Sequence, residues 1–580
     1  MAKQNEGTPA ASLGRQRLEL GNFQEGVEAR LAALNKAGFG RRLWEKDPSL
    51  WTEVPSRQEE IKNSLGWLDV AGAMTANLDL LQMLAHEARA TGFVRVVHMG
   101  MGGSSLAPLV MGLILPAGGR GLPLTVLDTT DPATVLKVEQ AEPLENTLFI
   151  VASKSGTTAE PHAFHQYFYH ALSRIKGNRA GENFIAITDP ETPLAKSAKE
   201  DGFRHIFLNF SDIGGRYSAL SFFGMVPAAL AGFDTGRLLD RALAMESACG
   251  GEAAAPENPG LVLGAVLGEL GRHGRDKITF LAEDKIAPLA MWLEQLLAES
   301  TGKEGKGLLP VAGEELAEPG VYGSDRLFVH LRLGAGDSLD QGVGKLKDAG
   351  QPVVTIDLND PYDLGQEFFR WEIATATAGA IIGINPFDQP NVQESKDNTN
   401  LLLAQVDRSG ELPAESPLIV EEPLSLYHEA FIPAAGSITD ALNRFLSQAR
   451  PGDYLALMAY LTESEGAGRQ LAQIRSRAGQ RLRLATTLGY GPRFLHSTGQ
   501  FHKGGPNSGL FLQLTCDDTR DVQIPGAGYG FSIFKQAQAL GDLEALRRHG
   551  RRVARLHLGA DIGRGLARLA EILEKATPEF

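Results

Sequence analysis

The chain has 580 residues, of which 43% are hydrophobic and 22% are charged, and its formal net charge is −14. A chain of this length is expected to fold into two or more cores, since single cores stop growing near about 250–300 residues. The negative charge argues against a nucleic-acid partner, which needs a basic face. No apolar run reaches the roughly 18 residues of a membrane span, so no membrane partner is expected either.

The predicted elements begin with helices. From about residue 18 to residue 90, apolar residues recur at helical spacing. From residue 93, short apolar runs alternate with helical patterns, and the runs at 94–98, 122–127, 147–151 and 183–188 are predicted strands. This rhythm is typical of an α/β fold with a doubly wound parallel sheet, whose loops carry function at the carboxyl ends of the strands.

A stretch rich in Gly, Ala, Pro and Glu at 250–260 marks a predicted domain boundary. Beyond it, strands are predicted at 278–281, 327–331 and 353–356, and a ligand cleft is expected between the two α/β halves. Further strands are predicted at 454–458, 482–485 and 510–514, and their rhythm favours completion of the second sheet over a third lobe. The predicted domains are a helical segment at 1–90, one αβα unit at 91–250, and a second at 260–580 with a C-terminal extension.

The two cysteines, Cys249 and Cys516, cannot build a disulfide framework, which favours a reducing compartment. The N-terminus has no apolar signal core. The sequence therefore predicts a soluble, cytoplasmic protein.

The strongest chemical signal is the turn that follows the predicted strand at 147–151. It contains Ser153, Lys154, Ser155 and Thr158 and leads into a helical pattern. The free N–H groups of a first helical turn, with hydroxyl donors beside them, form an anion site. The spacing differs from that of a nucleotide-triphosphate loop, so a smaller phosphate ester is predicted. The alternative is an ordinary helix N-terminus with solvated hydroxyls.

Arg216 follows two glycines and precedes an apolar helical pattern. Glycines allow close backbone approach, and a guanidinium can direct a fixed fork of donors at an oxyanion. The alternative is a surface arginine in a turn. A Gly-rich turn at 100–105 has the same ambiguity, between a ligand contact and close packing.

Glu299 ends an apolar helical pattern just before a glycine turn, a place that suits a general base as well as a capping group. A loop bracketed by prolines, 383–396, leads through Gln389 to Lys396. The histidines show no recognised ligand spacing, and no Cys/His cluster occurs, so no metal is predicted.

These segments, in this order, resemble the glucose-6-phosphate isomerase family, whose members have two sugar-isomerase (SIS) α/β domains. The resemblance covers roughly residues 60 to 400 and rests on three patterns: D-x-G-G-R-[FY]-S around Arg216, E-S-x-G-K around Glu299, and N-P-F-D-Q-P before Lys396. The late segment, 496–505, resembles the isomerase half of bacterial transaldolase/glucose-6-phosphate isomerase fusions.

The resemblance implies reversible aldose–ketose isomerisation of glucose 6-phosphate and fructose 6-phosphate through a cis-enediol(ate), as in glycolysis and gluconeogenesis. It implies no metal and no organic cofactor, and a homodimer. The alternative is a non-catalytic SIS-domain sensor of sugar phosphates. A sensor needs the hydroxyl-rich turn but neither the pair Glu299 and Arg216 nor Lys396, so the presence of all three favours an enzyme.

The resemblance also implies residue roles. Arg216 would stabilise the enediolate, Glu299 would move the proton between C2 and C1, and Lys396 would assist ring opening. The substrate and its phosphate would contact seven further residues: Gly103, Ser104, Ser153, Lys154, Ser155, Thr158 and Gln389.

The ring-opening histidine departs from the family pattern. The family has a G-x-N-G-Q-H segment, given by the neighbouring subunit, between its Glu and Lys motifs, whereas the counterpart here, 318–325, has no histidine. The only G-Q-x-H pattern in the sequence is Gly499-Gln500-Phe501-His502, which follows the Lys motif. His502 is therefore predicted to be the ring-opening base, rather than His496. The competing interpretation is that both histidines are satisfied polar groups.

Overall fold

The protein folds around three β-sheets, each flanked by helices, in a computed structural model. The structure describes residues 13–576, apart from 117–118, 120, 337, 428–431 and 433–434. Across these described ranges, no helix is long and apolar enough to cross a membrane.

The N-terminal segment is mainly helical, as predicted. It contains one unpredicted strand and five helices: β1 (Gln16–Glu19), α1 (Gln24–Lys36), α2 (Phe39–Trp44), α3 (Pro55–Lys62), α4 (Val70–Thr75) and α5 (Leu78–Ala90). β1 lies antiparallel on the edge of the second sheet, where it pairs with residues 353–356.

The first unit is a five-stranded parallel sheet in the order β3-β2-β4-β5-β6. Its strands are β2 (Arg95–Met99), β3 (Leu124–Leu127), β4 (Thr147–Ala152), β5 (Phe184–Thr188) and β6 (His205–Leu208). Its helices are α6 (Leu106–Ile114), α7 (Pro132–Ala141), α8 (Ala159–Lys176), α9 (Pro193–Glu200), α10 (Phe222–Leu230) and α11 (Thr235–Ala248). β2, β4 and β5 are buried along their whole length, because helices cover both faces of a parallel sheet.

The second unit is a sheet in the order β1-β10-β9-β7-β8, parallel except for β1. Its own strands are β7 (Lys277–Ala282), β8 (Leu309–Val311), β9 (Arg326–Leu333) and β10 (Val353–Leu358). Its helices are α12 (Pro259–Arg272), α13 (Leu289–Thr301), α14 (Asp340–Asp348), α15 (Leu364–Ile382) and α16 (Pro390–Ser409). The predicted strands of both units are confirmed to within a few residues.

The third unit has its own six-stranded sheet, in the order β11-β12-β16-β15-β13-β14. Its strands are β11 (Pro417–Glu421), β12 (Leu424–Tyr427), β13 (Tyr454–Tyr460), β14 (Ala485–Tyr490), β15 (Gly509–Thr515) and β16 (Arg552–His557). Its helices are α17 (Ile438–Leu446), α18 (Glu465–Leu482), α19 (Thr498–Gly504), α20 (Phe531–Arg548) and α21 (Ile562–Ala576).

The prediction that this last region completes the second sheet is wrong. Its described strands pair only with one another, and α17, α18 and α21 close a separate apolar core over one face of the sheet. The predicted strand at 482–485 is also wrong, because α18 continues to Leu482 and β14 starts at Ala485. Arg483 ends the helix in the left-handed region, with φ of 52°.

The third unit docks on the loop between β3 and α7 of the first unit. Arg493 donates two hydrogen bonds to Asp128, at 2.7 and 2.8 Å, and Lys535 on α20 pairs with Asp131 at 2.9 Å. Both aspartates are almost fully buried. A buried carboxylate that loses its partner is strongly destabilising, so these pairs fix the third unit in one position.

The third unit also contacts the second. The side chain of Gln500, on α19, donates to the carbonyl of Gly302 at 2.9 Å and accepts from the backbone N–H of Asn391 at 2.9 Å. Gly302 lies so close to α19 that a Cβ there would be 2.5 Å from the Cα of Phe501. The glycine of the E-S-x-G-K pattern is therefore needed because α13 and α19 pack too closely there for any side chain.

Candidate functional site

A cavity of about 240 Å³ lies where the first unit, α16 and the third unit meet. The first unit contributes Thr157 and Glu160, and α16 contributes Lys396. The third unit contributes His496 and Gln538. The cavity opens at the carboxyl end of β4, the edge at which parallel α/β sheets bind ligands.

The hydroxyl-rich turn reaches one end of this cavity through Thr157. β4 ends at Ala152 and α8 begins at Ala159, so the turn lies directly before a helix N-terminus. Ser153 donates to the hydroxyl of Thr158 at 3.0 Å, and Ser155 and Thr157 share a hydrogen bond at 2.9 Å. Free N–H groups, the helix dipole and these hydroxyls make this end suited to a phosphate group.

Lys154 does not line the cavity. Its ammonium group pairs with Asp189 and donates to the carbonyl of Ser211 at 2.9 Å. Both partners lie in the segments that follow β5 and β6. In this structure the charge of Lys154 anchors the turn, and the prediction that Lys154 holds the phosphate stays a prediction.

The Gly-rich turn at 100–105 lies between two other parts of the site. A Cβ on Gly102, which has φ of +57°, would be 2.8 Å from the Cβ of His496 and 2.9 Å from the Nε2 of Gln295. A Cβ on Gly103 would be 2.2 Å from the carbonyl oxygen of Gly215. Neither position has room for a side chain, so this turn brings the first unit against both the histidine and the arginine loop.

Arg216 is almost fully buried, and each of its three guanidinium nitrogens donates at least one hydrogen bond. Its Nε donates to the hydroxyl of Ser300 at 2.7 Å and its Nη1 donates to the side-chain oxygen of Gln389 at 2.8 Å. Its Nη2 donates to the carbonyls of Pro386 and Asp388, at 2.7 and 3.0 Å. The interpretation of a surface arginine is wrong, since these bonds clamp the loop 385–389 in place.

Glu299 lies beside this guanidinium at the end of α13. Its Oε1 is 3.5 Å from Nη1 of Arg216, and its Oε2 accepts a hydrogen bond from Gln295 at 2.9 Å. The same Gln295 amide also donates to the backbone carbonyl of His496 at 2.8 Å. Gln295 therefore connects the predicted base to the histidine that lines the cavity.

Lys303 stabilises the same loop. Its ammonium group donates to the carbonyl of Asn385 at 2.8 Å and to the carboxylate of Asp388 at 2.7 Å. Burial, and after it the repulsion from Arg216, lower the pKa of Lys303 to about 8. The loop that carries Gln389 is thus held by two buried cations.

His496 and Glu160 form an acid–base pair in the wall of the cavity. The Nε2 of His496 is 3.1 Å from the Oε1 of Glu160. Burial alone would raise the pKa of the Glu160 carboxyl, but the attraction and hydrogen bond of His496, and the charge of Lys396, lower it. Glu160 is therefore ionised at neutral pH. A carboxylate can only accept hydrogen bonds, so the nitrogen that faces it, Nε2, carries a proton, and in the matching neutral tautomer of the ring the lone pair is on Nδ1.

His502, the predicted ring-opening histidine, is not in the cavity. It lies on the inner side of α19, with ring centroids 5.1 Å from Phe511 and 6.0 Å from both Tyr454 and Phe494. Both of its ring nitrogens are buried and lack a hydrogen-bond partner among the described residues. Burial lowers its pKa well below the usual value of 6.5, so it stays neutral. The structure places His496 at the site instead.

Three site residues escaped sequence reasoning: Glu160, Gln295 and Gln538. Glu160 opens the helix after the hydroxyl-rich turn, and Gln295 lies one turn before Glu299, so spacing on a predicted helix could have found both. Gln538 has no local signal, because it reaches Glu160 only through the docking of the third unit.

The described part of the chain has no group of three or more His, Cys, Asp and Glu residues that could hold a metal ion. Cys249 and Cys516 are both buried as free thiols, and burial raises the pKa of each, to about 12 and about 11. The chemistry of the cavity therefore rests on a carboxylate, a lysine, a histidine, amides and hydroxyls, and Gln295 connects it to Glu299 and Arg216.

Comparison with known proteins identifies the family to which this chain is similar. The phosphoglucose isomerase family model matches residues 85–308. A glucose-6-phosphate isomerase from Rubrobacter xylanophilus is 29% identical over 64% of this chain and 95% of its own length. One from Symbiobacterium thermophilum is 30% identical over 59% of this chain and 87% of its own length. A crystal structure of a hypothetical protein from Thermus thermophilus has 26% identity and a TM-score of 0.56, and covers 67% of this chain and 100% of that one.

The first two units, with a hydroxyl-rich helix N-terminus facing buried acid–base groups, define an SIS-type phosphosugar protein. The relatives narrow that class. The chain belongs to the glucose-6-phosphate isomerase family.

Proposed function

We propose that this protein catalyses the reversible isomerisation of glucose 6-phosphate and fructose 6-phosphate. The observation that carries the proposal is that Gln295 links the pair Glu299 and Arg216 to His496, whose cavity is also lined by Thr157, Glu160 and Lys396. The relatives named glucose-6-phosphate isomerase support it. Isomerisation moves one proton between neighbouring carbons and needs neither a metal nor an organic cofactor.

In the proton transfer, Glu299 is the base. It removes the proton from C2 of the open-chain aldose and returns it to C1, while a hydroxyl proton moves between the two oxygens. The intermediate is a cis-enediolate whose negative charge needs a cation. Arg216, next to Glu299 and fixed by four hydrogen bonds, supplies that charge without having to reorganise. Gln389, which accepts a hydrogen bond from Nη1 of Arg216, would contact the sugar.

In ring opening, His496 is the residue that moves the proton. Its Nδ1 carries the free lone pair, and Glu160 stabilises the imidazolium that forms when Nδ1 takes up a proton. Lys396 lines the same cavity and no described residue forms an ion pair with it, so its charge is available to the sugar oxygens. The phosphate would lie at the turn made by Ser153, Ser155 and Thr158, opposite these groups.

We further propose a cytoplasmic location, which the two free thiols, Cys249 and Cys516, support because a reducing compartment keeps thiols unpaired. We also propose a homodimer, which the family resemblance implies, and light scattering of the purified protein checks it.

A coupled assay tests the function. Glucose 6-phosphate formed from fructose 6-phosphate is oxidised by an added dehydrogenase, and the reduced nicotinamide is recorded. Glu299→Gln should lower turnover by about 10²–10⁴-fold with a small change in KM, because only the base is lost. Glu294→Gln is the matched control, since Glu294 lies on the same helix but outside this cavity. Substrate binding without turnover in the unaltered protein would instead indicate a sensor.

A further inference from the structure

Gln538, on α20 of the third unit, forms a hydrogen-bonded chain with the acid–base pair. Its Nε2 donates to the Oε1 of Glu160 at 2.7 Å, the same oxygen that faces His496. Its Oε1 accepts from the hydroxyl of Thr130 at 2.7 Å. Gln538, Glu160 and Thr130 are all nearly excluded from solvent. The chain therefore runs Thr130–Gln538–Glu160–His496, and each of its links joins the first unit to the third.

The chemistry of the two neighbours fixes the direction of the amide. A carboxylate can only accept hydrogen bonds, so the NH₂ of Gln538 must face Glu160. The carbonyl oxygen then faces Thr130, whose hydroxyl can donate. Gln538 is thereby held at both ends, and it holds one carboxylate oxygen of Glu160 in turn.

The helix that carries Gln538 is itself anchored. Lys535, one turn earlier on α20, pairs with Asp131, the residue that follows Thr130. The titratable groups that face Glu160 are His496, from the segment before α19, and Lys396, from α16. The ammonium of Lys535 is directed away, toward Asp131 and Asp518. Gln538 is thus an uncharged group among charged ones.

We propose that Gln538 is a positioning residue for the isomerase: its amide keeps the Glu160 carboxylate ionised and directed at His496. This proposal rests on the proposed function. Gln538 does not touch the substrate's reacting atoms in this role; it acts through Glu160. The third unit then supplies both the histidine and the group that keeps its carboxylate partner in place.

The test is the pH dependence of kcat/KM in the full chain. Gln538→Met has a similar size but no hydrogen-bonding groups, so Glu160 loses one donor and holds a proton more readily. Because a lost donor raises a carboxyl pKa, the acid limb should move to higher pH by about one unit. On that acid limb turnover should fall by up to about tenfold, whereas at pH 8.5 it should be nearly unchanged, with KM within about twofold at both.

Three further variants complete the design. Thr130→Val removes only the hydroxyl that orients the amide and should shift the limb in the same direction, by less. The double variant should be no worse than Gln538→Met, since both act through one chain. Gln536→Met is the matched control: it lies on the same helix, is exposed, and should leave the profile unchanged.

The outcomes are distinguishable. Lower turnover at every pH with an unmoved acid limb would overturn the proposal and leave Gln538 a structural residue. If Gln538→Met does not fold, as judged by thermal unfolding, an unmoved limb in Thr130→Val overturns it equally. Absence of isomerisation in the unaltered protein would be a failure of the proposed function, and normal turnover in Glu160→Gln would remove the pair through which Gln538 acts.

Discussion

Replacing His496 by glutamine is expected to slow turnover of the cyclic substrate by about 10²–10⁴-fold, the usual contribution of a general acid–base group. The magnitude follows from the surroundings of the ring. Glutamine keeps an amide N–H that can reach Glu160, 3.1 Å from Nε2, so the buried carboxylate keeps a partner and the fold is preserved. What disappears is the lone pair on Nδ1 and the ability to carry a proton.

Two substrates separate ring opening from proton transfer at C2. Glucose 6-phosphate must be opened first, and its turnover is followed with the coupled dehydrogenase. Erythrose 4-phosphate has no hydroxyl placed to close a ring, so uptake of solvent deuterium at its C2, recorded by NMR, reports on Glu299 alone. His496→Gln should lose the first activity and keep the second within about threefold.

His502→Gln is the matched control, because it makes the same change six residues later in a histidine that lies outside the cavity. It should leave both activities within about twofold. Equal losses of both activities in His496→Gln would refute the role in ring opening. A loss confined to His502→Gln would restore the assignment that the sequence favours.

The other predictions concern four separate positions. Arg216→Lys keeps the charge but not the planar fork, so kcat should fall about 100-fold or more with a smaller change in KM, measured in the same assay; near-normal turnover would contradict the role of the guanidinium. Thr158→Val should raise KM about tenfold or more at nearly constant kcat, since a hydrogen bond to a charged group contributes about 1.5–3 kcal/mol. Gly102→Ala should lower both Tm and turnover, because its φ of +57° disfavours a side chain and its Cβ would displace His496; unchanged turnover would show that the turn does not position the histidine. His502→Phe bears on stability against pH. Burial keeps the pKa of folded His502 well below 6.5, whereas in the unfolded chain it is about 6.5. As the pH falls below 6.5, only the unfolded chain takes up a proton at this residue, so the free energy of unfolding decreases. Removing the imidazole should lessen that decrease by about 1 kcal/mol between pH 6.5 and 5.5, as urea unfolding would record.

The predicted site residues that the structure brings close together depend on local signals. The turn after β4 combines a buried strand, hydroxyls and a following helix within about 20 residues. Arg216 and Glu299 each lie in a short pattern whose glycines and apolar neighbours mark a close approach. In such cases the reactive side chain and the backbone that positions it are adjacent in the chain. Hydrophobic periodicity and turn residues are then sufficient to predict where the side chain lies.

The parts that were wrong depend on long-range packing. His496 and His502 lie in one short segment, and only the direction in which α19 packs decides which of them meets the cavity. The ion pair of Lys154 is equally non-local, since its partner Asp189 lies 35 residues away. The third sheet has the same strand–helix rhythm as the second, and rhythm alone does not say where one sheet ends and another begins.

The separation of Glu160 and His496 by 336 positions has a consequence for biosynthesis. At about 5–20 residues per second, a ribosome adds the histidine on the order of half a minute after the glutamate. During that interval the first unit carries Asp128, Asp131 and Glu160 without the cations that later cover them. The nascent chain thus displays a cluster of negative charge that attracts Arg493 and Lys535 as they emerge. The proposed ring-opening pair forms only with that late docking, so an unfinished chain holds the proposed phosphate-binding turn without the histidine that would open the sugar ring.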